Sequence, residues 1–170
     1  VLGVAPEALA VLAGVAAPQG RGARMTFEVD GGSVLLIDES YNANPASMRA
    51  ALAALATVPR ETFARRIAVM GDMLELGPAA GEFHQGLKDA VDAAGVDQVF
   101  ACGPNMRLLF DTLPAQMQAR WSQTSGELAQ DVAVALRAGD AVMIKGSLGT
   151  RMAPIVEAVK MRLTGAGKTV

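Results

Sequence analysis

Ser33-Val34-Leu35-Leu36-Ile37-Asp38-Glu39-Ser40-Tyr41-Asn42-Ala43-Asn44-Pro45 is the stretch on which the fold turns. Its opening residues are almost all apolar, the composition of a strand buried on both faces. Two carboxylates, a hydroxyl, a phenol and two carboxamides follow directly. Pro45 then restarts the chain as a helix, a residue suited to a first helical turn. A buried strand, a polar loop and a helix in that order open a βαβ crossover. In open α/β sheets ligands bind beyond the carboxyl ends of the strands. A loop with this much hydrogen-bonding capacity in that place marks a nucleotide- or substrate-handling domain.

The same unit recurs on either side. Met25 to Val29 alternates as a strand does, and Asp30-Gly31-Gly32 is a hairpin turn, because glycine accepts the positive φ such turns need. Downstream, the spacing of Met48, Leu52 and Leu55 predicts a helix over 45–58. Strands are expected at 67–70, 98–102, 119–121 and 141–144. Helices are expected at 79–94, from about 105 to 113, at 125–137, where Ser125 offers a hydroxyl cap, and at 152–163. Strand, polar loop and helix at this spacing predict an α/β, Rossmann-like three-layer domain, its sheet mostly parallel with an antiparallel hairpin at one edge. Pro6 to Val15 has helix composition and Pro18-Gln19-Gly20-Arg21-Gly22 breaks it. The expected organisation is therefore a tail helix of a preceding domain over 1–17, the α/β domain over 18–164, and a frayed tail over 165–170. The chain starts at Val1 without an initiator methionine, within helical sequence, and is expected to be part of a longer protein.

Composition narrows the function classes. The chain has 170 residues, 51% hydrophobic and 19% charged, with a net charge of −2, an ordinary globular balance. That charge gives no basic surface to hold nucleic acid or an anionic membrane, and aromatics at 4% do not build a base-stacking platform. One cysteine, Cys102, and one histidine, His84, exclude an internal disulfide framework and leave a Cys/His zinc site without ligands. A reducing, cytoplasmic setting is expected. No apolar run reaches the roughly 20 residues of a membrane span, and the amino end given lacks the basic region and long apolar core of a signal peptide.

Three strand-to-helix loops carry the chemistry, and in a parallel sheet they open on one edge. Asp38 to Pro45 and Gly71 to Gly77, with Asp72 and Glu75, are acidic and polar; Lys145 to Arg151 is basic and glycine-rich. Together they suit a ligand with hydroxyls at one end and negative charge at the other. The competing roles are ordinary ones. Asp38 or Ser40 could cap the next helix, Asp72 and Glu75 could be solvated charges, Lys145 could pair with an acid, and the Gly146-Ser147 backbone could form an anion nest. His84 reads as a packing or surface residue of its helix, and Cys102 as a core thiol. Ala166-Gly167-Lys168-Thr169 echoes a phosphate-binding loop, but Arg162 stands where its first glycine belongs. No Gly-x-Gly-x-x-Gly follows a strand, which excludes a dinucleotide-dependent oxidoreductase.

The three runs Asp38-Glu39-Ser40-Tyr41-Asn42-Ala43-Asn44-Pro45, Val69-Met70-Gly71-Asp72-Met73-Leu74-Glu75-Leu76-Gly77 and Ile144-Lys145-Gly146-Ser147, in this order and spacing, resemble the carboxyl-terminal domain of the Mur ligases, in particular the dipeptide-adding branch. The resemblance covers about Pro18 to the last helix. It implies an ATP-dependent ligase of peptidoglycan synthesis that adds D-alanyl-D-alanine to UDP-N-acetylmuramoyl-tripeptide through an acyl phosphate. ATP and Mg2+ would be the cofactors, with the magnesium ligands in a central domain outside this sequence, and the partners would be the chain's own central and N-terminal domains. Carried over residue by residue, Arg21 would reach the ATP phosphates, and Glu39 or Asp38 would meet the ribose. Tyr41, Asn42 and Asn44 would lie near the nucleotide, and Lys145, Ser147, Asp72 and Glu75 on the substrate side. By the same resemblance this domain alone is inactive. The alternative is a stand-alone Rossmann-like nucleotide-binding module.

Overall fold

The computed structural model describes residues 20–166. The helix expected over 6–15, the break at Pro18-Gln19 and the end of the tail lie outside them. The elements are β1 (Ala23–Val29), β2 (Gly32–Glu39), α1 (Pro45–Ala56), β3 (Arg65–Gly71), α2 (Ala80–Gln85), α3 (Lys88–Ala93), β4 (Gln98–Cys102), α4 (Pro104–Phe110), β5 (Gln118–Ser122), α5 (Ser125–Ala135), β6 (Asp140–Lys145) and α6 (Ala153–Ala166). Short 3-10 turns sit at Gly77–Ala79 and Leu148–Thr150.

The six strands form one sheet in the order β1-β2-β6-β3-β4-β5, with β1 antiparallel to β2 and every other pair parallel. Strand alternation divides the core into two layers. Leu35, Ile37, Ala68, Met70, Ala141 and Met143 face α1 to α4, where Met48, Leu52, Leu87, Val91, Met106 and Leu109 cover them. Val34, Leu36, Ile67, Val69, Val142 and Ile144 face α5 and α6 through Leu128, Val132, Ile155 and Val159. Both faces of β2, β3 and β6 are thus buried, which is why these strands read as apolar runs instead of alternating.

Arg65 and Asp140 open the paired strands β3 and β6. Arg65 donates from Nε and a terminal nitrogen to both oxygens of Asp140, at 2.8 and 2.7 Å. Asp140 is 1% exposed and also accepts from the Arg137 backbone. A bidentate pair of this kind is both strong and geometrically specific, and it raises the Arg65 pKa through the hydrogen bond to Asp140.

Three local expectations change. The helix expected over 79–94 is divided into α2 and α3. At the junction Leu87 N–H donates to His84 O, three residues back, and the Gly86 carbonyl accepts from the Arg49 guanidinium instead of continuing the ladder. The cap of α5 is Thr124, whose Oγ accepts from Glu127 N–H, while the Ser125 hydroxyl donates to Arg151 O at 2.6 Å. α6 continues through Ala166, beyond the expected end at 163, so Gly165 and Ala166 belong to the helix.

Candidate functional site

The carboxyl ends of β2, β6 and β3 are neighbours: Glu39 pairs with Lys145 across β2–β6, and Lys145 with Met70 across β6–β3. This brings the three polar loops together at one edge of the sheet, as their positions in the chain predict.

Hydrogen bonds lock the loops to one another. Ser147 Oγ donates to Ala43 O at 3.2 Å and accepts from Leu74 N–H at 2.9 Å, tying the third loop to the first and the second. Ser147 N–H and Thr150 Oγ both donate to Asp72 O, each at 3.0 Å. Lys145 Nζ donates to Asn42 O at 2.9 Å and lies 3.5 Å from Glu39 Oε2. Ser147 is buried and its hydroxyl is used on both sides. The hydroxyl expected on the substrate side is therefore a cross-tie between loops rather than a free donor.

Alternation along β2 separates the two candidate acids. Asp38 is fully buried. Its Oδ1 accepts from Ser40 N–H and Oγ, and its Oδ2 has no hydrogen-bond partner among the described residues. Glu39 points to the opposite face and lines an open cleft of about 250 Å³ with Arg21, Tyr41, Asn42, Asn44 and Lys145. Burial lowers the Lys145 pKa, and the Coulombic attraction and hydrogen bond of Glu39 oppose that shift. Asn44 also caps α1: its Oδ1 accepts from Ser47 N–H at 2.8 Å, and Ser47 Oγ accepts from Asn44 N–H at 3.0 Å. This reciprocal pair is a capping box. It fixes where the loop ends, and Asn44 itself lines the cleft. Among the described residues, the cleft offers two cations, one carboxylate and two carboxamides around one opening. That set fits the phosphates and hydroxyls of a nucleotide as one wall of its site. No group of three or more His, Cys, Asp or Glu that could hold a metal ion occurs among the described residues.

The second loop divides its residues between fold and opening. Asp72 is buried and its carboxylate caps α4 across the sheet edge, accepting from Met106 N–H at 2.6 Å and from the backbone and side chain of Asn105. Gly103, at φ 101°, leaves the room this needs: a Cβ there would lie 2.4 Å from the Asp72 carboxyl carbon. The carboxylate expected on the substrate side is thus spent on a helix terminus. His84 supports the same loop, since Met73 N–H donates to its Nε2 at 2.9 Å and its Nδ1 donates to Ala80 O at 2.6 Å. It is wholly buried, in keeping with the packing role. Glu75, by contrast, lines a cleft of about 460 Å³ with Tyr41, Asn42, Asn44 and Ser147. Its φ of 63° is left-handed for a residue with a Cβ, a conformation that costs on the order of 1 kcal/mol and collects at functional loops.

A third cleft, about 550 Å³, continues along the same edge between Asp72, Pro104, Gln123, Thr124 and Arg151. Asp72 and Arg151 belong to loops that the sequence marks out, whereas Pro104, Gln123 and Thr124 do not stand out in it. The signal was available in the topology: the loops after β4 and β5 open on the same edge as the other three. Arg151, like Glu75, is a non-glycine residue with a left-handed φ, 53°.

A protein-family model described as "Mur ligase, glutamate ligase domain" matches residues 23–148. The chain is 30% identical over 146 residues to the UDP-N-acetylmuramoyl-tripeptide–D-alanyl-D-alanine ligase of Rickettsia prowazekii, covering 86% of this chain and 31% of that protein. It is 32% identical over 126 residues to the ligase of the same name from Escherichia coli, covering 74% and 27%. Among solved structures, MurF ligase from Thermotoga maritima in complex with ADP superposes with a TM-score of 0.72 at 27% identity, covering 91% of this chain and 33% of that one. MurF from Acinetobacter baumannii gives a TM-score of 0.77 at 25% identity, covering 94% and 35%. The chain spans about a third of the length of the relatives it matches.

Proposed function

The chain belongs to the Mur ligase family, and on that premise we propose that it is the carboxyl-terminal domain of an ATP-dependent ligase joining D-alanyl-D-alanine to UDP-N-acetylmuramoyl-tripeptide in cytoplasmic peptidoglycan synthesis. The observation that carries this reading is the likeness, in sequence and in fold, to ligases named for that reaction, across nearly the whole described domain. In such a reaction the tripeptide carboxylate takes the γ-phosphoryl group of ATP and ADP leaves; the dipeptide amine then attacks the acyl phosphate, losing a proton as the amide forms and phosphate departs.

The chain's own residues bind and orient. Arg21 meets the phosphates, a role suited to a permanently charged guanidinium. Glu39 accepts from a ribose hydroxyl, and its position in the open cleft favours it over the enclosed Asp38. Asn42 and Asn44 flank the nucleotide. Lys145 sets the charge between the nucleotide and acceptor sides, and Glu75 lies on the acceptor side. Asp38, Asp72 and Ser147 hold the loops that carry these groups. Magnesium and the phosphate cradle belong to the preceding central domain, so catalysis here is positioning and charge stabilisation after that domain and this one close together.

Phosphate release by the full-length protein, given ATP, Mg2+ and UDP-N-acetylmuramoyl-tripeptide, tests the reading. It is expected to depend on D-alanyl-D-alanine. Absence of dipeptide-dependent turnover, with turnover restored by a single amino acid, would reassign the acceptor. Micromolar ATP binding by this chain alone would instead favour a stand-alone nucleotide-binding module.

A further inference from the structure

Arg21 and Tyr41 belong to different segments, and three contacts hold them together. Gly22 N–H donates to Asp38 O at 2.9 Å and Tyr41 N–H donates to Gly20 O at 3.0 Å, so residues 20–22 prolong the β1–β2 ladder past the end of β2 to the edge of the nucleotide cleft. Across that prolongation the Arg21 guanidinium carbon sits 4.1 Å from the centre of the Tyr41 ring, within the range of a cation–aromatic contact. Gly20 makes the approach possible. At φ 75° it takes a left-handed turn, and a Cβ there would lie 2.9 Å from the Tyr41 backbone nitrogen.

We infer that Tyr41 is a positioning residue for Arg21: its ring holds the guanidinium over the cleft before nucleotide arrives, and it does not itself stack on the base through that face. This rests on the reading of the cleft as the nucleotide site. Arg21 and Tyr41 are both exposed, Tyr41 at 46%, so an unheld arginine would sample many rotamers, and each binding event would have to order it again. The stack removes part of that cost. The hydroxyl of Tyr41 makes no hydrogen bond among the described residues, so the ring alone carries the role and phenylalanine should serve.

The test is a cycle in the full-length ligase, reading KM for ATP, KM for D-alanyl-D-alanine and kcat, with melting temperature as a folding control. Arg21→Gln is expected to raise KM for ATP about tenfold. Tyr41→Leu is expected to raise it roughly two- to fivefold, the scale of an exposed cation–aromatic contact, leaving KM for the dipeptide unchanged. Tyr41→Phe should stay within twofold of the wild type. In the Arg21→Gln background, Tyr41→Leu should add nothing. An equal Tyr41→Leu effect in both backgrounds would overturn the inference, placing the ring directly on the nucleotide. So would a Tyr41→Leu variant with wild-type KM for ATP while Arg21→Gln is impaired. A wild-type KM for ATP in Arg21→Gln would overturn the nucleotide reading of Arg21 as well.

Discussion

Lys145 titrates where two opposed effects meet. Burial lowers its pKa from the ordinary 10.5, and Glu39 holds it up. The cost of burying the charged form is present below the lowered pKa and is relieved as pH rises through it toward the ordinary value. Glu39→Gln removes the Coulombic contribution that raises it and leaves only a weaker hydrogen bond to a neutral acceptor. The alkaline limb of the full-length enzyme's pH–rate profile is therefore expected to move to lower pH, with turnover at neutral pH reduced more than tenfold, about 1.4 kcal/mol or more at the transition state. An unmoved alkaline limb would detach Lys145 from the rate. Cys102 shows the opposite sign. Burial first, and Asp72 second, push its thiol up to about 12. The stability this gives is complete below the ordinary value near 9.0 and is lost as pH rises toward about 12. Iodoacetamide should accordingly label the native chain only at its rate of opening. At this scale the sequence left Glu39 and Asp38 open. Strand alternation places neighbouring residues on opposite faces, but which face opens to the cleft is fixed by the pairing of Glu39 with Lys145, over a hundred residues away and silent in either segment alone.

Among elements, capping decides how the loops end. Asn44→Ala removes one half of a reciprocal cap and should cost about 1 kcal/mol of stability, read as a shift in urea midpoint with unchanged slope. Gly103→Ala places a methyl carbon against the Asp72 carboxylate in a backbone region hostile to L-residues. It should destabilise by more than Asn44→Ala and free the N-terminus of α4 to exchange its amide protons faster. Asp140→Ala takes the bidentate carboxylate from Arg65, leaving it Gln98 and the Ala135 carbonyl, and should cost about 3 kcal/mol. The strands were legible because burial on both faces writes itself as unbroken apolar runs, as in Val34 to Ile37 and Ala141 to Ile144. The Asp30–Gly32 hairpin was legible from its glycines. The break between α2 and α3 was not, because it depends on Arg49 capturing the Gly86 carbonyl, a contact across 37 residues. Nor was the fate of Asp72 and Ser147. A buried carboxylate that caps a distant helix and one that faces a ligand have the same local sequence.

At the scale of the molecule, the cleft at Glu39 is open and not a pocket closed on itself. The chain alone is expected to release no phosphate in the presence of all substrates, and its ATP affinity should be weaker than micromolar by isothermal titration. Turnover by the isolated chain would remove the need for a central domain. No helix among the described residues is long and apolar enough to cross a membrane.

The strand order has a mechanical consequence. Residues 20–22 join the sheet at the β1 edge, and β5 lies at the other edge, five strand spacings away. At about 4.8 Å per spacing that is a lever of roughly 24 Å. A swing of about 10° with its hinge at the Gly20 end would carry β5 about 4 Å but β2 less than about 1 Å. Glu39 and Arg21 sit near the hub, while Gln123 and Thr124 ride on the rim. A rotation that hardly displaces the Glu39 end therefore carries the far cleft, as one body with the sheet, several times as far, and the two ends of one lip can work at different strokes.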